Sequence, residues 1–128
     1  MKMTNVNPLQ GIYPASGDYV HALQADDVER LLFVSGTMGL DVDGKPGETL
    51  EAQLTLIWSN IRRILAEASM DLSHIARVTS YLTDRAQVLA NQNARVAALG
   101  DRRVPTTAIV VQTLDDDWLV EIEVIAIG

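Results

Sequence analysis

The chain has no cysteine, which excludes disulfides, thiolate metal sites and cysteine nucleophiles together. Aromatic residues are also scarce, 5% with a single phenylalanine, so Val, Ile, Leu and Ala must build the core. Basic residues are outnumbered, 10 Lys and Arg against 17 Asp and Glu, for a net charge of −7. A field of that sign repels phosphate backbones, and nucleic acid is not expected as a partner. No apolar run approaches the ~20 residues of a membrane span. No basic stretch leads into an apolar core at the N-terminus, so no signal peptide is expected. These absences point to a soluble, cytoplasmic protein. What is present is 128 residues, 48% apolar, enough for one domain with a proper core.

Residues 1–16 carry Asn5, Asn7, Pro8, Gly11 and Pro14 and read as an irregular lead-in to a single domain over 1–128. Tyr19 to Leu23 fits a short strand, and the dense apolar run Leu31-Leu32-Phe33-Val34-Ser35-Gly36 a buried one. Asp41-Val42-Asp43-Gly44-Lys45-Pro46-Gly47 is turn chemistry. It has too few carboxylates and no closing glutamate for an EF-hand calcium loop. Thr49 caps a predicted helix with Leu54, Ile57, Ile61, Ile64, Leu65 and Ala68 on its apolar face and Gln53, Asn60, Arg63 and Glu67 on the other. Ile75 to Leu82 alternates as a half-buried strand, with Val78, Ser80 and Leu82 opposed to Arg77, Thr79 and Tyr81. Thr83-Asp84 caps a second helix to Leu99, closed by Gly100. Thr107 to Gln112 and Trp118 to Ile127 are the last strands, separated by the acidic turn Asp115-Asp116-Asp117. The order β-β-α-β-α-β-β predicts an α+β fold, a mixed sheet with two helices on one face.

Such a sheet leaves its other face open. In the last strand Trp118, Val120, Ile122, Val124 and Ala126 suit the helix side. Leu119, Glu121, Glu123, Ile125 and Ile127 then point to the open side. Three large aliphatics on an open face form a patch that self-association would bury. A carboxylate set among them must be paired, hydrogen-bonded or used.

With that strand in view, the chain resembles the reactive-intermediate deaminase family, also called Rid or YjgF-like. Gly17-Asp18-Tyr19-Val20-His21-Ala22 is similar to the family's Gly-Pro-Tyr-Ser-(His or Gln)-Ala segment, and Phe33-Val34-Ser35-Gly36 to its Phe-Val-Ser-Gly strand end. Gln53 and Asn60 fit its first helix, Tyr81-Leu82-Thr83-Asp84 its third-strand end and Asn93 its second-helix asparagine. Val120-Glu121-Ile122-Glu123-Val124-Ile125-Ala126 is close to its closing Val-Glu-Ile-Glu-Ala-Ile-Ala. The resemblance implies a chorismate-mutase-like fold, assembled as a homotrimer whose sheets form a barrel with clefts between subunits. It implies hydrolysis of small enamines or imines to a carbonyl compound and ammonia, with no metal or organic cofactor. A glutamate matching Glu121 activates or positions water, and Tyr19, Gly36, Asn93, Thr107 and Ile109 fall at positions expected to shape the substrate pocket.

One position departs from the pattern. The family's strand after the second helix begins Pro-Ala-Arg-(Ser or Thr), and its arginine holds the substrate carboxylate. Here the run is Pro105-Thr106-Thr107-Ala108. Threonine offers one hydroxyl and no charge where a bidentate charged contact typically contributes ~1.5–3 kcal/mol. Arg102 and Arg103 stand upstream as candidates to compensate, against the plainer reading that they complement a helix C-terminus. Asp18, in place of proline, is expected to loosen the turn before Tyr19. His21 and His74 read as structural and surface residues, and Ser35 has no base partner in the sequence. A trimer that binds a small metabolite without turning it over is the alternative function. The nuclease activity ascribed to some relatives conflicts with the acidic balance.

Overall fold

The computed structural model describes residues 1–128. Its elements are β1 (Lys2–Val6), β2 (Ala22–Asp26), β3 (Leu31–Met38), α1 (Leu50–Glu67), β4 (Ile75–Leu82), α2 (Val88–Leu99), β5 (Thr106–Val110) and β6 (Val120–Ile127), with 3-10 turns at Leu72–His74 and Arg85–Gln87. The strands β3, β6, β4 and β5 make a four-stranded sheet in that spatial order. The contacts β3–β6 and β6–β4 are antiparallel and β4–β5 is parallel, the crossover being α2. This is the α+β architecture that the element order predicts.

The core forms between α1, α2 and the near face of the sheet. Leu54, Ile57, Ile61 and Leu65 of α1 meet Val78, Leu82, Val120, Ile122 and Val124 of β4 and β6, all in one buried cluster. The caps work as the sequence indicates. Thr49 accepts the Ala52 N–H at 3.1 Å and Gly100 ends α2 with φ 63°. Asp84 accepts the Ala86 N–H at 2.8 Å, but it caps the 3-10 turn that precedes α2 rather than α2 itself.

Three expectations are corrected. The lead-in is not wholly irregular, because Lys2–Val6 pairs with Ala22–Asp26 from Lys2↔Asp26 to Val6↔Ala22 as a separate two-stranded sheet. Gln53 lies inside, 2% exposed, where its amide donates to the carbonyls of Gly47 at 3.0 Å and Asp117 at 2.8 Å and accepts the Leu119 N–H at 2.9 Å. A polar side chain is stable there because every hydrogen-bonding need is met. Ile64 conversely stands 39% exposed at the edge of the helix layer.

Candidate functional site

The far face of the sheet carries the side chains that β6 alternation assigns to it. Register places Phe33 against Ile125 in β3–β6, and Arg77, Thr79 and Tyr81 of β4 against Ile125, Glu123 and Glu121. Thr107 and Ile109 of β5 pair with Thr79 and Tyr81. The face is amphipathic: Phe33 is 71%, Leu31 60% and Ile109 47% exposed, around a polar middle of carboxylates, hydroxyls and one guanidinium. Ile127 departs from expectation, being only 4% exposed. The exposed apolar area comes from β3 and β5 instead.

A β-bulge positions the first carboxylate. Between Val34↔Val124 and Thr37↔Ile122, β3 has one residue more than β6, so Ser35 and Gly36 bow out of the ladder. The Glu121 side chain fills the space that the missing side chain of Gly36 leaves. A Cβ on Gly36 would overlap Glu121 Oε2 and stand 2.9 Å from its Cδ. Glycine is therefore what lets the Glu121 carboxylate lie here, by close approach rather than by backbone conformation. The two glutamates differ in partner. The Tyr81 hydroxyl donates to Glu123 Oε1 at 2.6 Å, while no hydrogen bond inside the chain engages the Glu121 carboxylate. That bond, above all, holds the Tyr81 phenol above its ordinary pKa. Desolvation and the negative charges of Glu123 and Glu121 add to the rise, and Arg77 opposes it.

Thr107 has a partner that the sequence does not announce. Arg77 Nη2 donates to Thr107 Oγ1 at 2.9 Å across the parallel β4–β5 pair. The two arginines expected as candidates to compensate are occupied elsewhere. Arg102 donates to the carbonyls of Leu72 at 3.2 Å and Ile75 at 2.8 Å, and burial lowers its pKa. Arg103 donates to the carbonyls of Gly17, Gly100 and Arg102 at 2.8–2.9 Å. Both fasten the chain between α2 and β5 to its neighbours.

Tyr19 lies elsewhere. It borders a pocket of about 180 Å³ with Asp18, Asn91, Arg95, Thr106 and Ala108, on the helix side of β5. Thr107 and Ile109 alternate to the other side. Asp18 does not loosen its turn. Its Oδ2 accepts from Arg95 Nη2 at 2.7 Å, with the arginine side chain 4% exposed. Burial lowers the Arg95 pKa, and the Asp18 charge and hydrogen bond oppose that shift. Asn93 is exposed in a third place, a groove between α1 and α2 with Glu51, Trp58 and Arg62. Asn91, two residues before it, is the buried asparagine beside Tyr19. His21 is structural as expected. Its Nε2 lies 2.8 Å from the Tyr13 carbonyl oxygen, and its ring stands edge-on to Tyr13 and Tyr19. Asp41 spends its carboxylate on the backbone N–H groups of Asp43 and Lys45, both at 2.9 Å.

One chain thus brings Gly36 and Glu121 into contact, sets Thr107 and Ile109 on the same face two strands away, and leaves Tyr19 and Asn93 on other surfaces. Sequence alternation set Arg77, Thr79 and Tyr81 together on one side of their strand, and the pairing with β6 makes that side the Glu121 face. What it lacked was the inter-strand register that joins Tyr81 to Glu123 and Arg77 to Thr107.

Comparison with known proteins locates this arrangement. A family model described as endoribonuclease L-PSP matches residues 11–128. A RutC family protein of Pyrococcus horikoshii is 30% identical over 114 residues, covering 86% of each chain. The crystal structure of a conserved Rid family protein, YyfB from Yersinia pestis, superposes with a TM-score of 0.86 over 100% of both chains at 24% identity, a likeness of fold. RidA from an Antarctic Psychrobacter superposes with a TM-score of 0.73 at 26% identity, covering 89% of this chain and 91% of that one.

Proposed function

Starting from the fact that the chain belongs to the Rid, or YjgF-like, family, we propose that it hydrolyses small enamines or imines to a carbonyl compound and ammonia. The observation that carries this reading is the Glu121 carboxylate, seated over Gly36 and engaged by no donor of its own chain. Its neighbour Glu123 is committed to Tyr81.

The chemistry asks little of the protein. Water adds to the carbon of a C=N bond while a base accepts its proton. The resulting carbinolamine expels ammonia as the C–N bond breaks, and the product is a ketone or aldehyde. An enamine first tautomerises to the imine. Glu121 then orients and deprotonates the water and passes that proton to the imine nitrogen. As the carbinolamine collapses, the carboxylate takes its hydroxyl proton and relays it to the departing amine, so both protons of the water leave with ammonia. No oxidant or cofactor enters this balance. The amphipathic sheet face supports a site completed by association. The exposed Leu31, Phe33 and Ile109 are the area that another copy would cover. A homotrimer packed on these faces forms a cleft at each subunit boundary, where Tyr19 or Asn93 of one copy lines the site of the next. The family model is described as an endoribonuclease. A net charge of −7 and the single basic residue among the strands of the sheet offer no stripe for a phosphate backbone.

The test is ammonia release from a varied panel of freshly generated imines. Wild type is expected to accelerate at least one of them, with Glu121→Gln reducing the rate by ~10²–10⁴. Acceleration of none, or an unchanged rate in the variant, refutes the reading. A ligand that raises the melting temperature with no product would favour the binding-only alternative.

A further inference from the structure

The segment from Gly17 to Val20 is held by side chains more than by its own backbone. Its backbone hydrogen bonds are long, 3.4 Å from the Tyr19 N–H to Ser16 and 3.4 Å from the Val20 N–H to Val104. Ordinary N–H···O bonds span about 2.7–3.2 Å, so neither fixes the turn firmly. The short bonds come from two arginines. Arg95 Nη2 donates to Asp18 Oδ2 at 2.7 Å, and Arg103 Nε donates to the Gly17 carbonyl at 2.8 Å. Tyr19 is the next residue along. Its ring stands edge-on to His21 with 5.9 Å between centroids, and its hydroxyl makes no hydrogen bond inside the chain.

Stability does not account for the Arg95–Asp18 pair. The Arg95 side chain is 4% exposed, and its Nε and Nη1 are buried with no acceptor. Asn91 Oδ1, beside the same small cavity, is buried with no donor. Replacing a buried ion pair by apolar residues of similar volume is often neutral or stabilising, and unmet donors add to the cost of keeping it. What the pair supplies is a fixed direction. A planar guanidinium from α2 grips the residue before Tyr19, and Gly17, one residue earlier, leaves the turn free to swing once that grip is lost.

The place of Tyr19 gives this direction a use. β5 is an edge strand of the four-stranded sheet, and Tyr19 borders its Thr106 and Ala108. On the other side of the same strand Ile109 belongs to the exposed apolar area that a second copy would cover. Tyr19 therefore stands where an adjoining copy arrives, whereas Asn93 stands in the outer groove between α1 and α2. We infer that the buried Arg95–Asp18 pair positions Tyr19, so that its hydroxyl enters the site of the adjoining subunit and hydrogen-bonds the substrate there. This deepens the proposed reaction and rests on it, with Glu121 supplied by one copy and Tyr19 by the next. A phenol both donates and accepts, so it serves an imine nitrogen and also the amine that leaves. Arg95 and Asp18 touch no substrate and act through Tyr19 alone.

The test measures ammonia release from 2-iminopropanoate, the imine of pyruvate, and from its methyl ester, alongside a melting curve. Asp18→Ala is expected to lower kcat/KM about ten- to hundredfold on the substrate that wild type prefers. Adding Arg95→Met should raise the melting temperature again while kcat/KM stays within about threefold of the single variant. Asp18→Pro with Arg95→Met should recover both, because the pyrrolidine ring fixes the turn and the Asp18 N–H makes no hydrogen bond to lose. In a Tyr19→Ala background, Asp18→Ala should cost less than about twofold more, since both act through one side chain. Activity that returns with the melting temperature in Asp18→Ala/Arg95→Met, or losses at positions 18 and 19 that multiply, overturn the inference. A readout without turnover separates it from the reaction itself. With ring-labelled tyrosine, the Tyr19 NMR signals should be shifted by the His21 ring in wild type and averaged toward free tyrosine in Asp18→Ala/Arg95→Met. That pattern in a protein that hydrolyses neither substrate upholds the grip on Tyr19 and refutes the hydrolase. Turnover that survives Asp18→Ala unchanged does the opposite.

Discussion

Replacing Gly36 by alanine perturbs the carboxylate proposed to activate water, through an atom that meets Glu121 directly. A Cβ at that position would overlap Glu121 Oε2 and lie 2.9 Å from Cδ and 3.2 Å from Cγ. Favourable carbon contacts begin near ~3.5 Å, so Cδ must retreat by about 0.6 Å and the oxygen by more. A misplacement of about 1 Å typically costs 10²-fold in rate, or about 2.7 kcal/mol of barrier. The fold has little at stake. The obstructing atoms are the far end of a flexible side chain, and the Gly36 backbone is not in the left-handed region. Alanine also lowers the entropy of the unfolded chain, a gain of about 0.4–1 kcal/mol for the native state. The expected result is a kcat/KM for imine hydrolysis reduced roughly 30- to 100-fold, with a melting temperature within about 3 °C of wild type. Ammonia release and a thermal melt on the same preparation check both halves. Wild-type turnover would refute the placement of Glu121. A melting temperature lowered by more than about 8 °C would show that the β3 backbone yields instead of the side chain.

Asp18→Ala leaves the Arg95 guanidinium buried without its partner, and a loss of about 2–4 kcal/mol is expected in chemical denaturation. Adding Arg95→Met should recover part of it. Gln53→Ala removes three hydrogen bonds to backbone that nothing else satisfies. It should cost about 2–4 kcal/mol and speed hydrogen exchange at the Leu119 amide. In an ultraviolet pH titration Tyr81 should ionise above the ordinary tyrosine pKa, since the bond to Glu123 raises it, and Glu123→Gln should bring it back down. The linked stability is present below the ordinary tyrosine pKa of ~10 and fades as pH rises through the raised folded value.

The fold was legible where local chemistry and period agree. The strand Ile75–Leu82 begins and ends where the sequence places it, although a register shift between Ile75 and Arg77 interrupts its alternation, and α1 begins at the residue after its threonine cap. It was not legible where distant backbone decides. Lys-Met-Thr-Asn-Val at residues 2–6 has no apolar rhythm and becomes a strand because β2 pairs with it. Gln53 looked like a surface residue because helical periodicity counts an amide as polar; loops near Gly47 and Asp117 bring it the partners that make burial stable. The site divides in the same way. Alternation in β6 put Glu121 and Glu123 on the open face and Val120, Ile122 and Val124 in the core. Their inequivalence depends on Tyr81, which is 42 residues before Glu123, and on a bulge at Ser35-Gly36, a pair that reads in the sequence only as the end of a strand. Thr107 read as a lost charge for the same reason. Residues 77 and 107 are 30 apart in the chain, and only parallel register brings the guanidinium to the hydroxyl.

The most direct measurement is ammonia release from 2-iminopropanoate and its methyl ester, by wild type and Glu121→Gln, each confirmed folded by its melting curve. The account predicts hydrolysis above the uncatalysed rate in wild type and a loss of ~10²–10⁴ in the variant with its melting temperature preserved. Equal rates in the two proteins, or neither exceeding the uncatalysed reaction, would contradict it.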